Sequence, residues 1–133
     1  MRIVIDTSAI LAVAMSEPQR PAIIRATKGC ELAAPQVLPF EVGNALTALF
    51  QRRVLDEKDI AAVWNVYTKF PIDLVPIDVA AALRLATKHA IYAYDAYVLS
   101  CAFERRAELL TLDARMMVTA RAEGLQLREL EQL

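Results

Sequence analysis

The 133-residue chain has one histidine, two cysteines and three glycines, no excess of either charge sign, and no apolar run long enough to cross a bilayer. Each shortage closes a class of function. With only His89, catalysis that works with a pair of histidines is excluded. The place of His89 at the end of an expected helix suits the helix dipole or solvent better than catalysis. Cys30 and Cys101 lie far apart among apolar neighbours and match no metal-binding spacing, so both are expected as buried free thiols, in keeping with a reducing cytosol. Fifteen basic against sixteen acidic residues do not describe a protein that coats nucleic acid by bulk attraction. Local contacts remain open to Arg52-Arg53, Arg105-Arg106, Arg115 and Arg121, which read more readily as solvated helix faces. The run Ile3-Val4-Ile5 stops at Asp6, too short for the core of a secretory signal, and the expected setting is cytoplasmic.

What the chain has in plenty is apolar side chains: 56% of residues, with a mean hydropathy of +0.33. That is high for a monomer facing water, and it predicts a homodimer or a protein partner. The length suits one unit over residues 1–133. The β-branched run Arg2 to Ile5 predicts a strand buried on both faces in a parallel sheet. Thr7 or Ser8 can cap a helix from about Ala9, and Pro18 and Pro21 introduce a second helix ending near Lys28-Gly29. Cys30 to Ala34 reads as a strand. Val37, Leu38, Val42, Ala45, Leu46, Leu49 and Phe50 then repeat at helical spacing as far as Arg53. Further helices are expected from Asp56 to Phe70, Asp78 to His89, Asp95 to Arg106 and after Asp113, with strands at Ile72 to Ile77 and Glu108 to Leu112. Leu125 to Leu127 could close the sheet. Alternating strands and helices predict a three-layer α/β/α sandwich around a central parallel sheet of about four to five strands.

In such sheets the ligand crevice lies beyond the carboxyl ends of the strands, so acids that directly follow a strand are the first functional candidates. Asp6 and Asp113 are placed that way. Each acid also has a plain reading, because Asp is a favoured helix cap; this applies to Asp6, Asp95 and Asp113, as it does to Asp78. Glu41 lies beside the apolar stripe Val42, Leu46 and Leu49, with Asn44, Ala45 and Ala48 leaving room next to it, although a structural ion pair would explain it too.

Taken together, Ile3-Val4-Ile5-Asp6-Thr7-Ser8, Pro39-Phe40-Glu41-Val42-Gly43-Asn44-Ala45-Leu46, Tyr94-Asp95-Ala96 and Thr111-Leu112-Asp113 resemble the PIN-domain nucleases, and among them the VapC-like bacterial toxins. Each motif alone is weak; four in order, spread over nearly the whole chain, are specific. The resemblance implies a PIN-like fold and a catalytic, metal-ligating quartet of Asp6, Glu41, Asp95 and Asp113. It further implies Mg²⁺ or Mn²⁺ as cofactor, single-stranded regions of RNA as substrate, and a homodimer neutralised by a small antitoxin. Thr7, Ser8, Asn44 and Thr111 match positions of polar support. Met116-Met117 departs from the pair usual after the last acid, but no carboxylate is lost.

Hard divalent ions held by carboxylates would supply both a nucleophile from water and shelter for charge on the phosphate. The alternatives are a receiver-like phosphoacceptor domain, a haloacid-dehalogenase-like phosphatase and a catalytically silent PIN-like binding module. The first needs an acidic pair after the first strand, yet the nearest acid in sequence to Asp6 is Glu17; the second needs Asp-x-Asp there, where this chain has Ser8.

Overall fold

Four short strands form the centre of the computed structural model, which describes residues 1–131; the last two residues of the expected 1–133 unit lie outside the described residues. They are β1 (Arg2–Ile5), β2 (Glu31–Pro35), β3 (Ile72–Val75) and β4 (Glu108–Leu110), all parallel in the order β3-β2-β1-β4. Parallel neighbours need crossovers, and helices supply them: α1 (Thr7–Ala14) and α2 (Arg20–Thr27) join β1 to β2, and α3 (Leu38–Gln51) and α4 (Glu57–Tyr67) join β2 to β3. α5 (Val79–His89) and α6 (Ala93–Arg105) lead to β4, and α7 (Ala114–Ala122) follows it.

The three-layer reading holds, and the pleat shows how. Ile3 and Ile5 on β1 point into one core with Ile10, Leu38, Val42 and Leu46, whereas Val4 between them points into a second with Val98, Leu99 and Leu109. All of these side chains are buried. At about 1.5–3 kcal/mol for each fully buried aliphatic side chain, β1 contributes to both cores at once.

Several expected boundaries move. α1 starts at Thr7, because Asp6 rather than Thr7 or Ser8 is its cap: the Asp6 carboxylate accepts from the Ala9 N–H. α6 starts at Ala93 behind Tyr92, so Asp95 lies inside the first turn and does not cap it. β3 ends at Val75, and β4 at Leu110 rather than Leu112, which leaves Thr111 and Leu112 in the connection to α7. Leu127 makes a single parallel bridge to Leu109 instead of a fifth strand. Cys101 is buried as expected, its thiol pushed up to about 11 by burial, but Cys30 is only half-buried. Among the described residues no helix is long and apolar enough to cross a membrane.

Candidate active site

All four predicted acids sit at helix N-termini along the carboxyl edge of the sheet. Asp6 caps α1 where β1 ends, and Asp113 caps α7 just beyond β4. Glu41 and Asp95 occupy the first turns of α3 and α6. Each therefore lies against the partial positive charge of unpaired amide groups, which helps the chain tolerate several anions together.

Asp6 is the best-anchored member. Its Oδ1 accepts from Ser8 Oγ at 2.6 Å and from Ala9 N at 3.2 Å, and its Oδ2 accepts from Thr111 Oγ1. The same two hydroxyls accept in turn: Ser8 Oγ from Leu112 N and Thr111 Oγ1 from Asp113 N, both at 3.0 Å. This relay ties the end of β1 to the end of β4. Burial nevertheless dominates over these hydrogen bonds and raises the Asp6 carboxyl above its ordinary range, with a further contribution from Asp113.

Asp95 is half-buried, and among the described residues no hydrogen bond reaches its carboxylate. Desolvation raises its pKa first, then repulsion from Asp113, Asp6 and Glu41, while the Arg115 guanidinium pulls the other way. Asp113 is exposed, with Oδ1 accepting from Arg115 N at 2.9 Å and Met116 N at 3.4 Å. Glu41 accepts from Asn44 Nδ2 at 3.3 Å, one helical turn away. Thr7 shares a 2.8 Å hydrogen bond with the Tyr94 hydroxyl, and the Tyr94 phenol is held well above its ordinary value, by burial first and then by Asp6, Glu41 and Asp95.

The acids thus share one electrostatic neighbourhood, but they do not share one wall. Asp95 and Asp113 line a cavity of about 310 Å³ with Tyr92 and Arg115, whereas Asp6 and Glu41 are not among its lining residues. Among the described residues, no three His, Cys, Asp or Glu side chains are arranged to hold one metal ion. The donors are hard oxygens, the chemistry that suits Mg²⁺ or Mn²⁺, but the ligating geometry is not preformed. His89 lies elsewhere, beside Glu123 at the end of α5, and that contact together with Lys88 lowers the Glu123 pKa.

Sequence reading did not single out Tyr94 for its hydrogen bond to Thr7, nor Tyr92 and Arg115 as cavity residues. Their proximity in sequence to Asp95 and Asp113 was the available signal. What joins them is the side-by-side placement of the α6 and α7 N-termini, which spacing alone does not encode.

Fold and site together define an open parallel-sheet α/β protein with an acidic crevice beyond its strands. Residues 3–122 match the PIN domain, and the chain belongs to that family. No curated protein matches the sequence. Among solved structures, the fold is similar to PAE2754 from Pyrobaculum aerophilum, with a TM-score of 0.66 and 22% identity over 90% of this chain and 87% of that one. It is also similar to a chain of VapBC2 from Rickettsia felis bound to a promoter DNA fragment, with a TM-score of 0.71 and 12% identity over 98% and 100%. VapC20 from Mycobacterium tuberculosis, a sarcin-ricin loop cleaving toxin, gives a TM-score of 0.65 and 13% identity over 96% and 99%.

Proposed function

We propose that the chain is a divalent-metal-dependent endoribonuclease and the toxin of a toxin-antitoxin pair. The observation that carries this reading is the placement of Asp6, Glu41, Asp95 and Asp113, from four separate stretches of sequence, at helix N-termini along one edge of the sheet, where the other three acids add to burial in raising Asp95. Anions gathered at a folding cost are a frequent mark of function, and a divalent cation is the partner that offsets their repulsion. Membership of the PIN family and the fold shared with VapC20 support the same reading.

Asp6, Asp95 and Asp113 would hold Mg²⁺ or Mn²⁺, with Glu41 ligating a second ion or orienting the attacking water. When bound, the ion supplies a nucleophile from water and stabilises charge building on the phosphate. The chain's own contribution is placement. Ser8 and Thr111 lock both oxygens of Asp6, the Thr7–Tyr94 hydrogen bond ties α1 to the first turn of α6, and Asn44 steadies Glu41.

A receiver-like phosphoacceptor is disfavoured by the sheet order: β1 lies between β2 and β4 here, whereas the flavodoxin-like order 2-1-3-4-5 sets it between β2 and β3. The deciding experiment is cleavage of mixed cellular RNA with and without Mn²⁺, with Asp6→Asn as control. Cleavage that needs the ion, and that falls at least about 100-fold in the variant, is expected for loss of a ligand charge. Parental cleavage by a folded Asp6→Asn protein, or none by the parent with metal present, ends the proposal.

A further inference from the structure

Resting on the nuclease reading, we infer that Tyr92 and Arg115 form a nucleotide subsite beside the acidic crevice, Tyr92 stacking on an unpaired RNA base and Arg115 holding the adjoining backbone phosphate. Both side chains line the cavity that contains Asp95 and Asp113, and Arg115 is the only cation among its described lining residues.

Tyr92 is 84% exposed, more than any other large apolar or aromatic side chain described. The other tyrosines that matter to the fold have partners: Tyr67 packs against Trp64 and Phe70, and Tyr94 is hydrogen-bonded to Thr7. Tyr92 has neither kind of contact among the described residues, and its side chain makes no capping bond to α6. The chain holds it out. Ala90 ends α5 in the left-handed region (φ 53°), where a side chain is strained, and Tyr92 is extended before α6 begins. An exposed aromatic ring whose backbone is set between two helix ends at a cavity wall is an available platform for a base, because every base offers a π-face.

Arg115 supplies the complementary feature. It is exposed, its guanidinium has no ion pair among the described residues, and its backbone N–H is tied to the Asp113 carboxylate. A wall bearing only Asp95 and Asp113 would repel a polyanion. One guanidinium two residues from Asp113, lining the same cavity as Asp95, provides a local anchor for phosphate at the point where the RNA must approach. The cavity, about 310 Å³, is at the small end of ligand clefts and takes a single splayed nucleotide rather than a duplex.

The test is binding of a short mixed-sequence single-stranded RNA, and of its duplex, by fluorescence anisotropy in Ca²⁺ at several salt concentrations, alongside cleavage by the same proteins in Mn²⁺. Tyr92→Leu should weaken single-strand binding about tenfold, leave duplex binding unchanged, and be rescued by Tyr92→Phe, since the ring and not the hydroxyl is used. Arg115→Gln should weaken binding and reduce the salt slope by about one. Parental affinity and slope in both variants, in a chain that does cleave RNA, overturns the subsite and leaves the nuclease reading standing. A parent that neither binds nor cleaves RNA overturns both.

Discussion

Asp6 and Asp95 are two acids whose charge is disfavoured first by the same cause, burial, and then in different measure by their neighbours. Asp6 is buried but bonded by two hydroxyls and an amide; Asp95 is half-buried, has no such bonds among the described residues, and also meets repulsion from Asp113, Asp6 and Glu41. For a carboxylate raised above its ordinary value near 3.8, the folded chain binds more protons than the unfolded one. Stability therefore falls as pH rises from that value through the raised one, and the deficit then stays constant. Glu123 acts in the opposite sense: its pKa is lowered, so what it contributes is lost as pH falls through its folded value. Asp6→Asn is a poor stability probe, because the amide nitrogen would face hydroxyl donors. Asp95→Asn is cleaner. In metal-free protein it should melt above the parent at pH 7 and converge with it below the ordinary carboxylate range. It should also lose the stabilisation that Mn²⁺ gives the parent, about 2.7 kcal/mol when the ion is at a hundred times its dissociation constant. Calorimetry at both pH values checks this; a variant that melts lower at pH 7, or keeps the full Mn²⁺ response, contradicts it.

At the scale of elements, the capping reading and the site reading turn out to be compatible. Asp6, Asp56, Asp78 and Asp113 all cap helices, and only their positions on the sheet separate them. Capping was legible because it is local chemistry between a side chain and amides two or three residues on. The start of α6 was misread for a related reason: Asp95 looks like a cap, yet Tyr92 is the extended residue and has no capping side chain to announce it. Asp78→Ala should cost about 1 kcal/mol of stability and leave RNA cleavage unchanged. Asp113→Asn should change stability by no more than a few tenths of a kcal/mol, since Asn caps as well as Asp, while abolishing cleavage. Urea melts paired with the RNA assay separate the two, and a fully active Asp113→Asn would remove that acid from the site.

For the molecule as a whole, part of the apolar excess read from composition stays exposed, on several elements that include α3 and α4. Phe40 and Phe50 on α3, Val54 just after it, and Trp64 on α4 are exposed. Coverage of such side chains by a second copy or by an amphipathic antitoxin segment is the expected outcome, with α1, α2 and α3 as the docking elements. Size-exclusion chromatography with light scattering should give a dimer, and co-expression with an antitoxin of the kind proposed should give a heteromeric complex; a strict monomer that binds no co-expressed small antitoxin contradicts this. The sequence by itself determined the layers and most elements, because a period of two or 3.6 in apolar residues dictates which face of an element can leave water. It also determined which acids follow strands. Only the tertiary structure decided that Thr111 bonds Asp6 from the far end of the chain, that Tyr94 answers Thr7, and that Asp95 and Asp113 share a wall with Tyr92 and Arg115. Those contacts join residues up to about a hundred positions apart. They depend on strand order and helix placement, which are set by how whole faces pack and not by any local run of residues.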